Sequence, residues 1–173
     1  MDIKITTTNV ERVLDDFGKE YVALLKQKLE ADGRKASGKL LNSLRTEIRA
    51  AGNTINVYLH SEDYLKFVDY GRRSGKWPPR DAIERWVQDK PITPYADKNG
   101  KLPTEKQLVF LIQRAIGENG TIKDLNYGGG QYTDSVLEEI FPRYQARLQE
   151  ALQQDFNKYS EEILATVRKM IKI

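Results

Sequence analysis

The chain has 173 residues, with 28 Lys plus Arg against 25 Asp plus Glu for a formal net charge of +3, 39% hydrophobic and 31% charged residues, and no cysteine. That length fits a single domain, 1–173, with one core, and the lack of cysteine excludes disulfide scaffolds, thiolate metal sites and cysteine nucleophiles. No stretch approaches the ~20 apolar residues that span a bilayer, residues 1–10 lack the apolar centre of a signal peptide, and the two charge signs are interleaved, so the expectation is a protein made in the cytoplasm, without a membrane partner or a dedicated nucleic-acid arm.

Val10, Val13, Leu14, Phe17, Tyr21, Leu24 and Leu25 recur at the spacing of one helical face, which predicts a helix over 9–33 closed by Gly33. Ser37 is placed to cap a short turn through Lys39 and Leu40. The period then changes to two: Leu44, Thr46, Ile48 and Ala50 alternate with charged residues, a turn follows at 51–54, and Ile55, Val57 and Leu59 repeat the alternation. This predicts an antiparallel hairpin over about 44–60 with one buried face. Ser61 is the expected N-cap of a short helix carrying Tyr64, Leu65, Phe67 and Val68 and stopped by Gly71. Pro78 and Pro79 open another helix, whose apolar face reads Ala82, Ile83, Trp86 and Val87.

Thr104 with Gln107 matches a capping box, and Leu108, Leu111, Ile112, Ala115 and Ile116 form the face of the helix it opens, ending near Gly117 and Gly120. Residues 121–133 read as an irregular, glycine-rich loop. The last element is an amphipathic helix over 143–171, with Pro142 near its start and Leu148, Leu152, Phe156, Tyr159, Ile163, Val167 and Met170 along one stripe, roughly 40 Å long. The fold class is therefore α+β: a small antiparallel sheet flanked by long N- and C-terminal amphipathic helices, with short helices between them in the segment 37–120.

The chemistry of an enzyme is not found. Residues 33–39 give Gly, four residues, Gly, Lys, most of a phosphate-binding loop, but Leu40 stands where a magnesium-ligating hydroxyl is required and the segment follows a helix instead of a buried strand. His60 is the only histidine, which rules out paired-histidine metal sites. Its neighbours Ser61, Glu62 and Asp63 adjoin it in sequence, whereas triads converge from distant positions. Carboxylate pairs such as Asp15 with Asp16 lie on solvated helix faces. No catalytic, cofactor-binding or metal site is assigned.

The most concentrated basic stretch is 72–80, where Arg72, Arg73, Lys76 and Arg80 surround Trp77. A loop that carries a tryptophan among arginines has the composition of an interface hot spot. The candidate protein-protein interface is therefore Gly71, Arg72, Arg73, Lys76, Trp77 and Pro78, together with Tyr127, Gly128, Gly129 and Gly130 of the glycine-rich loop. Trp86 and Phe67 have the spacing of core residues. The alternative use of the basic-aromatic stretch 72–80 is nucleic-acid binding by an accessory protein, with the aromatic rings stacking bases as in single-strand binders.

Ser37, Gly38, Leu40, Ser43 and Leu44 resemble the S-G-x-L-x-x-S-L lead-in to the first strand of the tail-completion or neck proteins of tailed bacteriophages. Tyr64, Phe67, Val68, Asp69, Tyr70 and Gly71 look like that family's Y-x-x-F-V-E-x-G helix end. Pro78, Pro79, Ala82, Ile83, Trp86 and Val87 look like its P-P-x-x-A-I-x-x-W-V element, and the helix over 108–116 followed by Gly120 and Thr121 is similar to its L-x-F-L-I-x-R-x-I-x-x-x-G-T segment. The motifs fall in the family's order over residues 37–121. The P-F-x-x-P-A ending that commonly follows the Gly-Thr pair is replaced by the glycine-rich loop and the long terminal helix. The resemblance implies a non-catalytic virion protein of the head-to-tail connector. It implies a homo-oligomeric ring of roughly six or twelve copies, in contact with portal, connector or tail proteins. Duplex DNA would pass through such a ring during ejection without sequence-specific binding. A wall of mixed charge suits that passage, because a strongly basic one would hold the phosphates.

Overall fold

A computed structural model describes residues 7–33, 37–51, 54–90, 92–124 and 129–171. The chain is α+β: six helices and one hairpin are described, in the order α1 (Thr8–Ala31), α2 (Lys39–Ser43), β1 (Arg45–Ala51), β2 (Thr54–His60), α3 (Leu65–Tyr70), α4 (Arg80–Asp89), α5 (Glu105–Asp124) and α6 (Tyr132–Ile171). The described residues group into two compact units: one within Met1–Leu25, Arg45–His60 and Asp134–Ile173, the other within Lys26–Leu44 and Ser61–Thr133.

In the first unit α1 and α6 pack together. Of the face read from the sequence, Val10, Val13, Tyr21 and Leu25 are buried, and Leu14, Phe17 and Leu24 are half-buried; α6 contributes Val136, Ile140, Tyr144 and Ala151. The polar contacts fix the direction of packing. Glu20 accepts from Arg143 (2.7 Å) and from the Tyr144 hydroxyl (2.7 Å), Asp16 from Arg147 (2.6 Å), and Asp155 from the start of α1. Movement toward the N-terminus of α1 is thus matched by movement toward the C-terminus of α6, and the pair is antiparallel. The Phe17 ring meets Tyr144 edge-on, with 5.2 Å between centroids. The Tyr144 hydroxyl and then Arg143 hold the Glu20 carboxyl below the ordinary carboxylate range.

The junction at Asp155 has no local sequence signature. This carboxylate, 5% exposed on α6, accepts from the backbone N–H of Asn9 (3.2 and 3.1 Å to its two oxygens), from Asn9 Nδ2 (2.7 Å) and from the backbone N–H of Val10 (3.1 Å). The first N–H groups of a helix lack intrahelical acceptors, so α6 supplies the N-terminal cap of α1 from 145 residues away.

The hairpin pairs Arg45 with His60 through Ala51 with Thr54, with Ile48 opposite Val57 and Thr46 opposite Leu59. The face expected to be buried is only half-buried: Thr46, Ile48, Ile55, Val57 and Leu59 are intermediate and Ala50 is exposed. A two-stranded ribbon has too little surface to be enclosed on its own, and α1 covers part of it. Gly18 of α1 lies against Thr46, so closely that a Cβ at Gly18 would collide with that side chain. Along β1 Arg49 donates to Glu47 (2.6 and 3.0 Å), and from β2 His60 Nε2 lies 2.7 Å from the same carboxylate. These contacts, Arg49 first and then His60, hold the Glu47 carboxyl down at about 2.

In the second unit α4 packs on α5 through Ile83, Val87, Val109 and Ile116, with Ile92, Leu108 and Ile112 at the margin. The capping box is present: Gln107 N–H donates to Thr104 Oγ1 (3.4 Å), and Thr104 N–H donates to Gln107 Oε1 (2.9 Å). Helix α5 is broken at Gly120 (φ 74°), where the sequence placed its end. Ser61 does not cap α3, because its hydroxyl is bonded to the Glu62 carbonyl oxygen at 3.2 Å and Tyr64 occupies the cap position.

Helix α6 departs most from expectation. It begins at Tyr132, not near Arg143, and runs 40 residues through Pro142, about 60 Å. An interior proline costs the helix an N–H bond. Buried Val136 and Ile140 before Pro142 and buried Tyr144 after it hold the helix across that point.

Candidate protein interface

Helix α3 ends at Gly71 (φ 71°, ψ 180°), a conformation available to glycine, and the chain then turns onto the end of α5. Arg72 N–H donates to Thr121 Oγ1 (2.7 Å), Thr121 N–H returns to the Arg72 carbonyl (2.9 Å), and Gly75 N–H donates to the Gly117 carbonyl (2.9 Å). Gly120 sits under this clasp, where a Cβ would strike the Arg72 carbonyl. Glycine and threonine are required here for distinct reasons: the first allows backbone to approach backbone, and the second satisfies the arginine N–H.

The clasp aims Trp77. Its indole lies on Gly117, and a Cβ at that position would collide with the ring. Its centroid is 6.1 Å from that of Phe110, and Trp77 and Phe110 are each 46% exposed. Gln113 Nε2 donates to the carbonyl of buried Pro78 (2.7 Å), which pins the loop behind the tryptophan. The result is an exposed aromatic pair held in place from beneath, the arrangement that loses least entropy when another surface covers it.

The basic residues divide. The Arg72 guanidinium stacks on Phe67 (4.6 Å) and reaches the Lys76 carbonyl (3.3 Å), and Arg80 pairs with Glu84 (2.8 Å). Among the described residues Arg73 and Lys76 form no ion pair and are exposed.

The two loops expected to contribute meet at one end of α3. Gly130 N–H donates to the Val68 carbonyl (3.3 Å) and Gln131 N–H to the Asp69 carbonyl (2.8 Å), while a Cβ at Gly129 (φ 92°) would strike the backbone of Asp69 and Tyr70. Tyr127 and Gly128 lie outside the described residues. The Asp69 side chain, 1% exposed, accepts from Thr133 N–H (3.1 Å) and from the Thr133 hydroxyl. A buried carboxylate on α3 therefore receives the first donors of α6, as Asp155 receives those of α1.

Phe110 and Gly117 were not legible as site residues. Phe110 falls off the apolar face of its helix, and an aromatic residue off the stripe is the signal that marks it. Trp86, expected in the core, is 40% exposed, because the contact of α4 with α5 is only wide enough to cover Ile83 and Val87. Of the stretch resembling a phosphate loop, residues 34–36 lie outside the described set, Lys39 is paired with Glu62 (3.1 Å), and Leu40 is buried. Among the described residues no group of three or more His, Asp or Glu side chains is placed to hold a metal ion, and no helix is long and apolar enough to cross a membrane. Compared with protein-family models, curated proteins and solved structures, the chain matches none.

Proposed function

We propose that this chain is a non-catalytic ring subunit of the head-to-tail connector, the neck or tail-completion region, of a tailed bacteriophage. It would act in the virion and surround the passage taken by duplex DNA. The observation that carries the reading is the clasp between Arg72 and Thr121 with Trp77 seated on Gly117. It gives one structural role to residues that the family resemblance groups only by order: the glycine ending α3, the Pro-Pro opening of α4 and the Gly-Thr pair at the kink of α5. The product is a fixed aromatic and basic knob, suited to a neighbouring copy or an adjoining ring.

The nucleic-acid alternative has less charge available than the sequence offered. Arg80 is paired with Glu84 and the Arg72 guanidinium is held on Phe67, which leaves Arg73 and Lys76, among the described residues, as the cations of the loop with neither an ion pair nor a ring contact. Electron microscopy of the full chain tests the proposal. The connector reading expects annular particles with an open centre, and Trp77→Ala is expected to reduce their number about tenfold or more at equal concentration, the loss typical of a hot-spot aromatic. A chain that forms no rings and binds duplex DNA with an affinity falling steeply with salt would replace the connector reading by the accessory one.

A further inference from the structure

Asparagine followed by glycine occurs at Asn99–Gly100 and at Asn119–Gly120, and the fold places the two pairs in opposite settings. Such a pair is open to reaction with itself. The side-chain amide carbon and the next backbone nitrogen can close a five-membered ring, and glycine, lacking a Cβ, puts the least bulk beside the attacking nitrogen. Closure within one residue has the advantage of any well-placed intramolecular reaction. It requires that the nitrogen lose its proton and that the peptide between the two residues turn toward the side chain.

Asn99 and Gly100 lie in the connection between α4 and α5, and both are exposed. Asp97 holds the turn: its N–H donates to the Lys101 carbonyl (2.9 Å), and its Oδ1 accepts from the N–H groups of Asn99 and Lys101 (2.9 Å each). A Cβ built on Gly100 (φ 78°) would meet nothing within 4 Å, so no neighbouring element confines the pair. The obstacle to ring closure is a single surface bond, from Gly100 N–H to the Asp97 carbonyl (2.9 Å). Opening an exposed bond of this kind slows the reaction by no more than about tenfold.

At Asn119 the obstacle is the fold itself. Asn119 is half-buried with helical backbone angles in α5, and Gly120 is buried against the Arg72 carbonyl, to which Thr121 N–H donates (2.9 Å). The peptide joining Asn119 to Gly120 cannot turn unless the clasp between Arg72 and Thr121 opens.

We propose that Asn99 is a site of spontaneous deamidation from which the fold protects Asn119. Hydroxide removes the Gly100 amide proton, and the nitrogen attacks Asn99 Cγ. The new C–N bond forms as the bond to the side-chain nitrogen breaks, and that nitrogen leaves as ammonia with a proton from water. Water then adds to either carbonyl of the cyclic imide and opens it. The products are aspartate, or isoaspartate with the main chain running through the former side chain. Either product lowers the formal net charge of +3 by one, and the isoaspartate adds one atom to the backbone of the turn. The reaction consumes only water and does not rest on the connector reading.

The full chain is held in mildly alkaline buffer, folded and, separately, unfolded in guanidinium chloride, and peptide mapping by mass spectrometry follows both asparagines. Asn99 is expected to react in the folded chain within about tenfold of its unfolded rate, and Asn119 about a hundredfold or more slower than when unfolded. Isoaspartate and aspartate are expected together at position 99, because the ring opens on both sides, whereas direct hydrolysis of the side-chain amide yields aspartate alone. Asn99→Gln is expected to remove the folded-state reaction, and Gly100→Ala to slow it about tenfold or more, with far-UV circular dichroism unchanged in both. An Asn99 that reacts in neither state, equal protection of the two asparagines by folding, or aspartate without isoaspartate at position 99 overturns the assignment.

Discussion

Replacing Asp155 with alanine removes the acceptor of four hydrogen bonds that join the middle of α6 to the start of α1. The Val10 N–H is buried, and without this acceptor it bears a desolvation cost of about 1–3 kcal/mol. The lost cap adds about 1 kcal/mol, and removal of a negative charge from a helix N-terminus adds about 0.5 kcal/mol. The expected destabilisation is about 3 kcal/mol, which corresponds to a fall of roughly 6–12 °C in Tm for a chain of this size. Asp155→Asn keeps the volume and one acceptor oxygen and is expected to cost about 1–2 kcal/mol. Urea unfolding followed by far-UV circular dichroism measures all of these, with exposed Glu150→Ala as a control expected to stay within about 0.5 kcal/mol of wild type. An Asp155→Ala protein as stable as that control would refute the assignment of Asp155 as the cap of α1.

Asp69→Ala removes the corresponding acceptor at the start of α6 and is expected to cost about 2–3 kcal/mol by the same measurement, with hydrogen exchange rising first in residues 129–136. Gly117→Ala forces the indole of Trp77 off α5. In a Trp86→Phe background the remaining tryptophan emission is expected to shift to the red, at a stability cost of about 1–2 kcal/mol after the helix-propensity gain; unchanged emission would contradict the seat. Glu47 has a folded-state pKa of about 2, below its ordinary value of 4.5. The stabilisation it contributes is therefore complete above pH 4.5 and is lost as pH falls through 2. A side-chain NMR titration is expected to find its midpoint near 2, and Glu47→Gln to flatten that part of the acid unfolding profile.

What was legible in the sequence was local. The periods of α1, the hairpin and α5, and the Thr104 with Gln107 capping box, involve residues a few positions apart, and the structure has these elements there, although in α5 Val109 is buried in place of the exposed Leu111 and the helix resumes after Gly120 as far as Asp124, where the sequence reads as loop. Helix α6 starts eleven residues before the point that the sequence pattern marks, because its signal is not in its own first turn: Asp69, 64 residues from Thr133, supplies the acceptor, and Pro142 has the look of a helix start. Asp155 carries no local mark for the same reason: in the sequence it is one carboxylate among many on a charged helix. For the candidate interface, the composition of 71–78 pointed to Trp77. The partners that aim it, Gly117 and Phe110, come from a helix face that the pattern had no reason to single out.

The central claim, a ring subunit indifferent to DNA, is tested most directly by the mass of the purified full chain in light scattering over a range of concentrations, with and without a short duplex. The account predicts that the mass rises to a fixed multiple well above two copies and is unchanged by duplex at physiological salt. A mass that never exceeds two copies, or that grows only on DNA and falls away as salt is raised, would contradict it.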